Sequence, residues 1–195
     1  MILLVAVVVG LAAGFLRALI GRHPYRVYEL KWPILVLLAF IPQYFAIFNR
    51  STRTAVSDRL ASIMLVGSLV ILLAFSILNI RKTSFLPIAL GFFLNFLVMV
   101  LNGGFMPINP ATVQVLYPGQ ESAWTIGERL GYGKDIVLEP ASMRLGILSD
   151  RFLLPQIGNL RVAFSVGDVF IAVGVIWLLW SLGGAQVEQK QEKSQ

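Results

Sequence analysis

The sequence predicts an all-α integral membrane protein: five transmembrane helices with a compact extracytoplasmic loop between helices 4 and 5. Three observations carry that prediction. The chain is 57% hydrophobic and only 13% charged, outside the usual balance of a soluble domain. Its apolar residues gather into five runs, most of them near the roughly 20 residues needed to cross a bilayer as a helix. Those runs are continuous, where barrel strands would be short and alternating.

The first run is Ile2 to Ile20, broken only by Arg17 near its end. Trp32 to Phe48 supplies the second, Leu60 to Ile80 the third and Phe85 to Leu101 the fourth. Val169 to Leu182 forms the core of the fifth. The second and fifth are short and should recruit flanking residues such as Val166 or Gly183. Single membrane-domain boundaries of 1–185 follow, with helices near 2–20, 32–48, 60–80, 85–102 and 167–184 and a cap over 103–166. The polar, low-complexity tail over 186–195 is expected to be disordered.

Nothing basic precedes the first run, whereas Arg17, Arg22, Arg26 and Lys31 follow or end it. That polarity is opposite to a removable secretory signal. Positive flanks favour the cytoplasm, so the N-terminus is expected outside, the tail in the cytoplasm and residues 103 to 167 outside, in the inner (plasma) membrane. The long loop holds five basic residues but also five acids, and long loops weigh little in this rule. The net charge of +6 fits topology and contact with anionic membrane lipids. No basic stripe with interleaved aromatics points to nucleic acid.

Several chemistries are excluded. The chain has no Cys and a single His, His23, so neither a disulfide, a cysteine nucleophile nor a histidine-rich metal site is expected. Gly131-Tyr132-Gly133-Lys134 lacks the earlier glycine and the following Ser/Thr of a phosphate loop and reads as a turn. No cofactor is expected. No apolar run carries a charge near its centre, which argues against an ion pathway.

Inside the helices the polar and small residues suggest packing. Gly10 and Gly14 form a Gly-x-x-x-Gly pair that lets another helix approach, either within the bundle or as a homodimer seam. Pro42 interrupts the second run and should kink it, and Gln43 beside it needs a partner. Asn95 and Asn102 lie about two turns apart on one face of the fourth helix, a face expected to look inward. Thr112 to Tyr117 and Asp135 to Leu138 are expected to be strands or helical turns, punctuated by Tyr117-Pro118-Gly119 and Glu139-Pro140. Tyr117, Trp124 and Phe152 are expected near the headgroup level or against helix ends.

One constellation on the outer side could carry chemistry. Asp150 lies in the long loop, Asp168 opens the last helix after Ser165-Val166-Gly167, and an Asn102-Gly103-Gly104-Phe105 turn begins the loop. The plainer role for Asp168 is a helix N-cap, and for Asp150, followed by Arg151, a surface acid.

Asn102-Gly103-Gly104-Phe105-Met106-Pro107, Met143-Arg144-Leu145, Asp150 and Ser165-Val166-Gly167-Asp168 together resemble a bacterial family of multi-pass membrane proteins of unknown function. That likeness covers most of the chain and implies no activity. A second, local resemblance is to lipoprotein signal peptidase, an aspartyl protease. Asn102-Gly103-Gly104-Phe105 is similar to that family's Asn-x-Gly-Ala-Ala-Phe turn. Phe164-Ser165-Val166-Gly167-Asp168 is similar to its Phe-Asn-x-Ala-Asp helix start, with Gly167 where the family has Ala, and Gly146 to Asp150 stands for Gly-x-Val-Val-Asp. The resemblance implies Asp150 and Asp168 as a catalytic dyad, with Asn102, Gly103, Gly104 and Phe105 steadying a membrane-embedded peptide or lipid-linked substrate. The sequence departs from that family in having five runs rather than four, in placing the turn after the fourth, and in carrying Gly158-Asn159 after Asp150. The alternative is a non-catalytic scaffold or assembly subunit that binds a membrane-protein partner through its cap.

Overall fold

The computed structural model describes residues 2–26, 29–155 and 161–184; the tail and Gly158-Asn159 fall outside them. The chain is mostly helical, with α1 (Ile2–Gly21), α2 (Ile34–Gln43), a short α3 (Arg50–Arg53), α4 (Asp58–Leu78), α5 (Phe85–Leu101), α6 (Pro110–Leu116) and α7 (Val166–Ser181). At 20 and 21 residues, α1 and α4 are long and apolar enough to cross a membrane. The helical stretch Ile34–Phe48, together with α5 and α7, is apolar but shorter.

The long helices are not those of a soluble core. In α1 the buried residues are Ala6, Gly10, Gly14 and Ala18, one narrow stripe at four-residue spacing. Its large side chains face outward, with Leu4 61% and Val8 60% exposed. Such a helix packs through its smallest residues. The stripe meets α7: a Cβ on Gly10 would lie 3.0 Å from Ile176 Cα, and one on Gly14 would strike the Leu179 carbonyl. Both glycines of the Gly-x-x-x-Gly pair therefore serve packing inside the chain.

α7 is held on its other side by α5, and α4 packs between α5 and α2. The α5–α7 seam is closer still. A Cβ on Gly167 would lie 2.7 Å from the Gly91 carbonyl and collide with Asn95 Oδ1, and one on Gly91 would collide with the Gly167 carbonyl. Gly174 lies against Ser84 and Ile88 in the same way.

Pro42 acts as expected, with a specific outcome. It cannot donate to the carbonyl four residues back, and its ring crowds that turn. The ladder resumes as a π-helical segment, Tyr44–Phe48, in which Asn49 N donates to Tyr44 O at 2.8 Å. Ser68 of α4 services the disturbed turn: its Oγ donates to Ala39 O at 2.6 Å and accepts from Gln43 Nε2 at 2.5 Å.

The helix ends sort into two groups. At one end, Asn79 closes α4 and grips the chain before α2: Lys31 N donates to Asn79 Oδ1 at 2.8 Å, and Asn79 Nδ2 donates to Lys31 O at 3.0 Å. Tyr25 Oη donates to Leu179 O there too. At the other end, residues 103–155 and 161–165 form a cap. Its centre is a two-stranded parallel pair, β1 (Met106–Ile108) with β2 (Asp135–Val137), and Phe152–Leu153 (β3) pairs antiparallel with Ala163–Phe164 (β4). Of the two segments expected to be strands or turns, 112–117 lies mostly in α6, begun by Asn109 as N-cap and Pro110, and 135–138 mostly in β2.

Arg129 fastens this cap to the helices. Its side chain, 3% exposed, donates to Ala46 O (3.2 Å), Gly133 O (2.7 Å), Tyr132 O (2.9 Å) and Asp58 Oδ1 (3.3 Å), and its guanidinium lies over the Phe105 ring. Trp124 packs against the buried Ile108, Val113 and Val137. Tyr117 and Phe152 are about half exposed, and Phe152 is stacked on Phe164.

Two outcomes test this arrangement. Cysteines introduced singly at Gln120, in the cap, and Arg22, at the opposite end, should label from opposite faces of the membrane; labelling from one face would refute an odd number of crossings between them. Gly91→Ala, which drives a methyl into backbone, should lower stability by about 1–3 kcal/mol, read as a fall in the melting temperature in detergent. Gly67→Ala, whose added methyl meets open space, should not.

Candidate functional site at the ends of α5 and α7

The close approach at Gly91 and Gly167 brings Asn95 of α5 against the start of α7. Ser165 is the N-cap of α7, with extended backbone, and Asp168 stands at the third helical position. Asp168 is thus the far half of a capping box, not the N-cap itself, because Ser165 supplies the first side-chain acceptor. Asp168 N donates to Ser165 Oγ at 3.1 Å and Ser165 N to Asp168 Oδ2 at 3.2 Å. Asn95 closes the circuit: its Nδ2 donates to Asp168 Oδ1 at 2.9 Å, and its Oδ1 accepts from Ser165 Oγ at 2.9 Å. Both carboxylate oxygens of Asp168 have partners, in a region where an unmet polar group is costly.

Two turns on, Asn102 ends α5. Its Nδ2 donates to Val98 O at 2.7 Å and to Arg144 O at 2.8 Å, while its Oδ1 accepts from Arg144 N at 3.0 Å. Gly103 and Gly104 follow at φ +78° and +88°, a left-handed pair that turns the chain out of the helix at little steric cost. Gly104 N donates to Met99 O at 2.8 Å, and a Cβ on Gly104 would lie 2.5 Å from Ser62 Cβ of α4. Phe105 is buried with Leu65, Val98 and Met106. The residues expected to steady a substrate are placed as a helix stop, a turn and an anchor.

The Arg144 clamp holds a loop whose next residue, Leu145, has φ +54°, a conformation costing a branched residue about 1–2 kcal/mol. The single 3₁₀ turn Gly146–Leu148 then packs on both α5 and α7 and leads to Asp150. Asp150 N donates to Pro107 O at 3.1 Å, so Asp150 extends the cap's central pair beside Ile108. Its side chain is 2% exposed.

Lys134 is the group that sequence reasoning passed over. Its Nζ binds Asp150 Oδ2 and also Asp135 Oδ1 at 3.1 Å. Burial works against its charge, but the carboxylates of Asp135, Asp150 and Asp168 more than compensate and hold its pKa above the usual lysine value. Asp150 is pushed up to about 7: burial dominates, Lys134 pulls the other way, and the charges of Asp135 and Asp168 add to the rise. Asp150 Oδ1 is buried with no hydrogen-bond partner. The two aspartates therefore feel one another, yet each has its own partners. The turn-like Gly131-Tyr132-Gly133 before Lys134 gave no signal of that ion pair.

A mostly helical protein with two helices fit to cross a membrane, further apolar helices and a cap fastened to their ends is the class this fold defines. The chain belongs to a family of unknown function (DUF5317), whose model matches residues 27–180. Comparison with curated proteins and with solved structures finds no match.

The raised pKa has a measurable consequence. Between its ordinary value of 3.8 and about 7, folded Asp150 holds a proton that the unfolded chain has released. Its contribution to stability is thus fully present below pH 4 and falls as pH rises through 7. Asp150→Asn should remove that component: the stability difference, wild type minus variant, should decline from pH 4 to pH 7 in detergent-solubilised protein. A flat difference would contradict it.

Proposed function

We propose that the chain is a five-crossing protein of the plasma membrane, with its cap on the outer face, acting as a non-catalytic scaffold or assembly subunit that engages a membrane-protein partner through the cap. The observation that carries this reading is the engagement of the polar side chains. Both oxygens of Asp168, both ends of the Asn95 amide and both ends of the Asn102 amide are joined to protein groups that hold the cap and helix starts in place. A catalytic dyad needs carboxylates open to water and substrate, whereas Asp150 is 2% exposed. The cap meanwhile presents apolar side chains outward, Ile147 at 66% and Ile126 at 49% exposure, as a partner-binding face does.

A second reading has one specific support, the partnerless Asp150 Oδ1 with its pKa near neutrality. In it, one of the two aspartates takes a proton from the attacking water while the other, protonated, gives its own to the leaving group, in the manner of an aspartic peptidase. The lipoprotein signal peptidase likeness belongs to this reading.

Photo-crosslinkers placed at Ile126 and Ile147 in living cells separate the two. A scaffold should give the same discrete partner adduct in the wild type, in Asp150→Asn and in Asp168→Asn, the last costing about 1–3 kcal/mol of stability because an amide has only one oxygen to accept with. If an adduct absent from the wild type accumulates in either Asn variant while the protein stays folded, a trapped substrate is indicated and the hydrolase reading replaces the scaffold.

A further inference from the structure

At the end of the bundle opposite the cap, a groove of about 560 Å³ opens between the last turns of α1 and α7. Leu16, Ile20 and Trp180 line it, with Arg17 and His23 beside them. Arg17 is held in place: its guanidinium carbon lies 3.7 Å from the centre of the Trp180 ring, and its Nη1 donates to Trp180 O at 3.4 Å. A Cβ on Gly184 would lie 2.7 Å from that guanidinium, so the cation sits flat between an indole and a glycine backbone. None of the ion pairs among the described residues includes Arg17. Around it the surface is of two kinds. Leu16, Leu19 and Ile20 are 58–77% exposed, while Arg22 and Arg26 are exposed just beyond the helix, with Glu29 the nearest acid in sequence.

We infer that this groove binds an anionic phospholipid, its phosphodiester on Arg17 and its acyl chains along Leu16, Leu19 and Ile20. A planar guanidinium pinned by stacking keeps a fork of N–H donors that matches two phosphate oxygens. Its place about one turn inside the end of an apolar helix is the depth of a headgroup, and basic pockets between transmembrane helices are suited to such headgroups. Charge complementarity selects the anionic lipid: among the described residues, the cation of the groove has no carboxylate in an ion pair with it. The inference rests on the membrane-embedded reading and uses neither the cap nor the aspartates.

The full chain, purified in mild non-ionic detergent, should be titrated with phosphatidylglycerol and with phosphatidylcholine of the same acyl chains, following bound lipid by native mass spectrometry and unfolding by thermal shift. Phosphatidylglycerol should bind about tenfold more tightly and raise the melting temperature. Arg17→Gln should lose that preference, about a tenfold change for one charge-assisted contact, and Arg17→Lys should keep part of it. Equal binding of the two lipids, an unchanged preference in Arg17→Gln, or the same stabilisation by inorganic phosphate alone would each overturn the proposal. If Arg17→Gln does not fold, Ile20→Glu places a like charge at the exposed rim and should erase the preference; a preference that survives it refutes the site. Extraction of the wild type from membranes by alkaline carbonate without detergent would instead count against the membrane reading itself.

Discussion

The contact between the backbones of α5 and α7 at Gly91 and Gly167 is the constraint on which the rest depends. Without two absent side chains the helices could not come near enough for Asn95 to reach the first turn of α7. Asn95 in turn completes the circuit with Ser165 and Asp168, and this fixes where α7 begins. The position of Gly146–Leu148 over both helix ends, and with it the place of Asp150, follows from the same approach. A methyl added at Gly167 would strike both Asn95 and the Gly91 carbonyl.

A second theme is the side-chain amide as a substitute for backbone pairing. Asn79 and Asn102 each end a helix, each donate to the carbonyl four residues back (Phe75 and Val98), and each exchange two hydrogen bonds with the backbone of one distant residue, Lys31 or Arg144. The same device thus tethers a connecting segment at opposite ends of the bundle. It suits a protein with little charge to use, because a neutral amide can satisfy a donor and an acceptor together without the desolvation cost of an ion. Among the charged groups, Arg129 meets that cost by donating to four oxygens at once.

The mostly helical character and the apolar helices were legible because apolar length and continuity are the strongest signals a sequence carries. The Asn95–Asn102 stripe was legible for the same reason, being a periodic polar break in an apolar run. Within the cap the sequence was nearly silent. β1 and β2 are three residues each and pair in parallel across a long insertion, so no local period marks them. Lys134 follows a glycine-rich turn and its partner Asp150 is sixteen positions away; only tertiary structure brings the two together. Asp168 was placed near the helix start, but its role as the third residue of a capping box depended on Ser165 turning inward, which its Oγ contact with Asn95 explains.

The order in which the helices leave the ribosome gives one of these contacts a further meaning. α1 is made well before α7, yet α7 is the helix it packs against. Until α7 has been synthesised, the small-residue stripe of α1 lacks the surface it packs on, and until residue 168 has been made Asn95 lacks Ser165 and Asp168. α7 thus supplies one face to α1 and another to α5. A chain interrupted before α7 would leave the stripe of α1 bare and the cap without one of the two helices on which Gly146–Leu148 packs.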